Sequence, residues 1–125
     1  MISDYKKMSF FENKEIKERK KELSLEPNDP AAHFNLGAAY DKAGKLHDAI
    51  KEFEATIKIH PNSAEAHFNL GVLYESVNQG EKAIVHILKA GNLFGDKNDA
   101  VNKMESRRLL KEFYRKFGFK PENIE

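Results

Sequence analysis

Cysteine is absent from the 125 residues, so neither a disulfide nor a thiolate metal site can form. Long apolar runs are missing too. Nothing approaches the roughly 20 residues of a membrane span, and Met1-Ile2-Ser3-Asp4-Tyr5-Lys6-Lys7 leads into no signal-peptide core. The expected location is the cytoplasm. Charge of one sign is lacking: 21 Lys and Arg stand against 20 Asp and Glu, a net of +1. No global field therefore draws the chain to nucleic acid or to an anionic membrane, and neither is an expected partner. Strand signals are scarce, with little period-two alternation and no Asn-Gly or Asp-Gly turn. A glycine-rich phosphate loop, a Gly-x-Ser-x-Gly elbow and a His-Glu-x-x-His pair are all missing. Glu and Lys are spread as helix-surface charge, in pairs such as Glu15 and Arg19 at i, i+4. We therefore expect no enzyme, no catalytic residue and no cofactor.

What the chain does contain is a duplication. Ala32-His33-Phe34-Asn35-Leu36-Gly37 recurs letter for letter as Ala66-His67-Phe68-Asn69-Leu70-Gly71, 34 residues on. At the same offset Tyr40 matches Tyr74, Ala49 matches Ala83 and Ile50 matches Ile84. A repeat of this length signals stacked units, none of which buries its apolar face alone. With 40% apolar and 33% charged residues, the chain is charge-rich yet able to form one small core.

Apolar residues recur three or four apart, which predicts helices throughout. Each repeat divides into two. The first helix runs from about Pro30 to Ala43, with Asp29 as N-cap, Pro30 at the first position and Gly44 able to end it left-handed. The second covers about Leu46 to Ile59 and stops before Pro61. The next hairpin spans about Ala64 to Val77, capped by Asn62 or Ser63, and Glu81 to about Leu93, with Asn78-Gln79-Gly80 between them. Gly95 stands in the register of Pro61 and opens a loop over 95–99. Upstream, Glu15 to Leu25 holds the register of a second helix, Ile16, Leu23 and Leu25 matching Ile50, Ile57 and Ile59. Downstream, a sixth helix covers about Ala100 to Phe117 and ends at Gly118. The expected organisation is a frayed N-terminus over 1–9 and a capping helix over 10–29. Full repeats over 30–63 and 64–97 follow, then a C-terminal capping helix over 98–120 and a frayed tail over 121–125.

These residues resemble the tetratricopeptide repeat (TPR). Leu36, Gly37, Tyr40, Gly44, Ala49, Phe53 and Pro61 fit its pattern in the first unit, and Leu70, Gly71, Tyr74, Ala83, Ile87 and Ala90 in the second. The departures are His33 and His67 where the family often has Trp, and Thr56 in place of a small residue. The resemblance implies an all-α, right-handed solenoid of antiparallel hairpins, closed here by flanking helices, that serves as an interaction scaffold.

It also implies a groove lined by the first helices: Phe34, Asn35, Ala38, Asp41 and Lys42, then Phe68, Asn69, Val72, Glu75 and Ser76, with Lys103 beyond them. Helical spacing independently puts Phe34, Ala38, Asp41 and Lys42 on one side, and Phe68, Val72 and Glu75 likewise. The asparagine amides offer donors and an acceptor to a peptide backbone, or alternatively bond between neighbouring helices. The phenylalanines anchor apolar side chains or pack into the core. Asp41 and Glu75 favour a ligand carrying Lys or Arg. A carboxylate clamp of the kind that grips chaperone tails is not expected. Asn69 and Lys103 remain, but Phe34 and Ala38 replace its Lys and Asn, and Asp99 would repel a carboxylate. His33 and His67 lack a third ligand and read as packing residues, so no metal is expected, while His47, His60 and His86 read as surface residues.

The last helix carries a row of cations four apart, Lys103, Arg107, Lys111 and Arg115, beside the apolar stripe Leu109, Leu110, Phe113, Tyr114 and Phe117. That stripe either packs inward or docks a partner or a second copy of the chain, and a basic amphipathic helix with Arg107, Lys111 and Arg115 can also approach a membrane or nucleic acid. The expected function is an adaptor holding a short peptide or helix in the groove. The alternative is an assembly module acting through this basic amphipathic helix, with a homo-oligomer as one outcome.

Overall fold

Helix formation follows from where glycine and proline stand. The computed structural model describes the backbone of residues 2–119 and the side chains of 13–119. Among the described residues are six helices: α1 (Ile2–Leu25), α2 (Pro30–Lys42), α3 (Leu46–Ile59), α4 (Ala64–Ser76), α5 (Gly80–Asp96) and α6 (Ala100–Phe117). No strand occurs among the described residues. α1 begins at Ile2 rather than near residue 10, because neither glycine nor proline interrupts residues 2–25. The expected tail over 121–125 lies outside the described residues.

Helices α2, α4 and α6 start alike. Asp29 Oδ1 accepts from the Ala31 amide at 3.0 Å, Ser63 Oγ from Ala66 at 3.3 Å, and Asp99 Oδ1 from Asn102 at 3.1 Å. Ser63, not Asn62, is therefore the cap of α4. Replacing it with alanine should cost about 1 kcal/mol, read as a lower melting temperature.

The exits of α2, α4 and α5 also repeat one another. Gly44 (φ 75°), Asn78 (φ 62°) and Asn98 (φ 60°) take left-handed backbone. Each lets the following amide bond back to the helix just ended: Lys45 to Tyr40 O at 2.9 Å, Gln79 to Tyr74 O at 2.8 Å, Asp99 to Phe94 O at 2.9 Å. The third exit shows that Gly95 opens no loop. It lies inside α5, which is 17 residues long against 14 for α3.

The chain divides into two compact units, α1–α3 and α4–α6, with the boundary between His60 and Pro61. In the first, Ile16 of α1 packs on Leu36 and Ala39 of α2, flanked by Leu23, Tyr40 and Ala43. Phe53 of α3 is fully buried, and a methyl group on Gly37 would sit 3.1 Å from its ring. In the second, Ala64, Ala90, Leu93 and Phe94 form a core with Phe68 against it. Gly71 lies so close to α5 that an added methyl would be 3.2 Å from the Ile87 Cβ and amide nitrogen. α6 then covers α5. Ser106 is buried against Gly91, Phe113 is buried, and the Phe117 ring fills the space beside Gly80 that any side chain there would need.

Candidate protein-binding surfaces

Helix α2 turns Ala32, Leu36, Gly37 and Ala39 inward, which leaves Asn35, Ala38, Asp41 and Lys42 exposed together. Helix α4 turns in Ala66, Leu70, Gly71 and Leu73. Val72 and Ser76 are exposed, while Asn69 and Glu75 are half-buried. The Ser76 hydroxyl donates to Val72 O at 3.1 Å. Asn35 and Asn69, equivalent in the repeat, make no side-chain hydrogen bond to any described residue. The alternative in which they tie neighbouring helices together finds no bond to support it.

The other residues on these faces are partly engaged. Phe34 is half-buried, edge-on to Phe53 at 5.2 Å, and Phe68 is half-buried, edge-on to Phe94 at 6.4 Å. Both therefore share themselves between core and surface. Lys42 reaches Glu15 of α1 at 3.4 Å, an exposed pair of little energetic weight. That contact, with Arg19–Glu22 at 3.0 Å, takes the place of the expected Glu15–Arg19 pair. Glu75 is bound by Lys116 of α6, so the acid expected to choose a basic ligand already has a cation. Sequence spacing gave no sign of this pair, since its members lie 41 residues apart. Asp41 keeps an exposed carboxylate with no described partner.

The histidines hold the hairpins. His33 Nε2 meets Pro27 O at 2.8 Å and its Nδ1 meets Glu52 at 2.9 Å. In the second hairpin His67 Nε2 meets Pro61 O at 2.9 Å, and its Nδ1 meets Nδ1 of His86 at 3.0 Å. His86 stands 34 residues after Glu52, and its ring stacks between His67 (5.3 Å) and Tyr74 (5.5 Å). It is a hairpin residue, not the surface residue its isolation suggested. No group of three or more His, Cys, Asp or Glu among the described residues could hold a metal ion.

On α6 the apolar stripe largely faces inward. Phe113 is buried, Leu109, Leu110, Tyr114 and Phe117 are half-buried, and Arg107, Lys111 and Arg115 are exposed. Lys103 belongs with the packed residues, its stem lying against Gly95. Asp99 faces its own helix: the side-chain and backbone nitrogens of Asn102 hold its carboxylate below the usual range. Arg108 bonds Glu105 and Glu112, which raises its pKa further, and its bonds to Glu105 lower that carboxylate in turn. Sequence reasoning missed Val101 and Met104, 78% and 71% exposed on α6. Their lack of helical partners at i±3 and i±4 on the inward stripe is the signal that would have found them.

Two family models match, a TPR repeat over residues 40–78 and a tetratricopeptide repeat over residues 20–51. Among solved structures, the type III secretion translocator chaperone SycD of Yersinia enterocolitica superposes with a TM-score of 0.80 at 15% identity. That match covers 92% of this chain and 80% of that one. A MamA structure gives a TM-score of 0.61 at 22% identity, over 84% of this chain and 70% of that one. The MamA RS-1 ArsTM double mutant gives 0.60 at 25% identity, over 84% and 67%. No curated protein sequence matches. The chain carries tetratricopeptide repeats and has that family's all-α hairpin solenoid fold. It is a protein–protein interaction module. No helix among the described residues is long and apolar enough to cross a membrane.

Proposed function

We propose that the protein is an adaptor that holds a short peptide or helix of a partner protein on the outward faces of its first helices. The observation that carries this reading is the pair Asn35 and Asn69. Each amide, unbonded within the described chain, suits the backbone of a segment visiting its own helix face, whatever the sequence of that segment. Beside them Ala38 and Val72 supply apolar contact, and the half-buried Phe34 and Phe68 present ring edges. Asp41 is the available charge selector and favours a ligand bearing Lys or Arg. The salt-bridged Glu75 and Lys42 contribute to selection only if their present partners let go.

Surfaces of this size support affinities on the order of micromolar. Asn35→Ala with Asn69→Ala should abolish recovery of the partner that co-purifies with the wild-type chain from its own cells, with the melting temperature unchanged. Unchanged recovery would remove both faces from the account. The alternative, self-association through the apolar stripe of α6, has less support, because Phe113 and Phe117 are spent on packing within the second unit. The cytoplasm remains our proposed location.

A further inference from the structure

The first helices do not recur with a constant period. From the cap Asp29 to the cap Ser63 is 34 residues, but from Ser63 to the cap Asp99 is 36. The longer α5, offset by a connection one residue shorter after it, accounts for the difference. Burial confirms the shifted register. Leu36 packs on the preceding helix through Ile16, and Ser106, 70 residues later, packs on the preceding helix through Gly91. Helix α6 therefore takes the place of a first helix.

In the second hairpin, three residues of α4 meet the second helix α5. Phe68 meets Phe94, Gly71 meets Ile87, and Tyr74 meets His86. Thirty-six residues on, those places on α6 are held by Met104, Arg107 and Leu110. Two of the three lie open. Met104 is 71% exposed, Arg107 is exposed and Leu110 half-buried. Next to them Lys111 and Arg115 are exposed, and with Arg107 they meet no described carboxylate, whereas Arg108 is gripped by two.

We infer that this open face of α6 receives an amphipathic helix of a partner protein, seated where a second helix sits in the two complete hairpins. Its apolar residues would lie on Met104 and Leu110, and its acidic residues opposite Arg107, Lys111 and Arg115. Two features select that occupant. The same first-helix face is covered by a helix twice already in this chain, so the docking geometry is one the sequence encodes. The cations, at i, i+4 and i+8, stand about 6 Å apart along the axis, the spacing of carboxylates four apart on a facing helix. A second copy meeting α6 to α6 would set these rows against each other. The inference does not depend on Asn35 or Asn69, so either reading can fail alone.

The test uses the full chain and a fluorescein-labelled synthetic helix with the sequence of residues 80–96, changed by Lys82→Glu and Lys89→Glu. Saturable binding is expected, weakened at least about tenfold by Arg107→Glu with Lys111→Glu, by Met104→Asp, and by raising salt from about 50 to about 500 mM. Both variants alter exposed side chains, so their melting temperatures should match the wild type. Absence of saturation, or binding indifferent to both variants, overturns the inference. So does salt-sensitive self-association, or binding to phosphatidylserine vesicles, that the charge-reversed variant abolishes.

Discussion

Phe53→Ala should lower stability by about 4 kcal/mol, the upper range for emptying an aromatic site in a core. The side chain is fully buried, its ring lies under Gly37, and Phe34 leans edge-on against it at 5.2 Å. Both neighbours, on α2, thus lose their contact with α3. Gly37 has no side chain with which to fill the space. The loss should appear as a reduced urea midpoint with little change in slope. A cost below about 1 kcal/mol would mean that α2 and α3 close the gap by moving together.

Gly71→Leu is the second large effect, and it works by crowding. The first added carbon would stand 3.2 Å from the Ile87 amide nitrogen and 3.3 Å from the Ala83 carbonyl oxygen. These are backbone atoms of α5, so no rotamer change relieves them. The helices must separate, and the His67–His86 contact and the Phe68 packing separate with them. A loss of about 3 kcal/mol is expected. For a chain of this size that is a fall of about 10 °C or more in melting temperature. Gly37→Ala makes the informative control. Its nearest neighbours are atoms of the Phe53 ring, which can give by a few tenths of an ångström.

Much of the fold could be read from the sequence because each helix boundary carries its own local chemistry. Asp29 with Pro30, Gly44, and Pro61 mark limits that the structure reproduces within a residue. The internal echo supplied the pairing of α2 with α3 and of α4 with α5. Where the reading slipped, a periodic rule was carried past its range. Gly95 was given the role of Pro61, although nothing in -Leu93-Phe94-Gly95-Asp96- prevents another helical turn. The resulting two-residue error amounts to about 200° around a helix. It hid Met104, whereas Lys103 joined the groove through the family resemblance alone.

The faces of α2 and α4 were legible at Asn35, Ala38 and Val72, where the 3.6-residue period alone decides exposure. Charge was not. Whether Glu75 is available depends on Lys116, and His86 depends on His67 and Tyr74. Such contacts are set by how helices cross, not by spacing along any one of them.

The bonds of Arg108 carry one more consequence. By holding Glu105 a turn behind and Glu112 a turn ahead, this single guanidinium staples the outer side of α6 over its middle two turns. That side of the helix keeps its winding without a cover. A visitor would find a rod already formed, so contact would sacrifice little chain freedom, and encounters there should be quick to form and quick to dissolve.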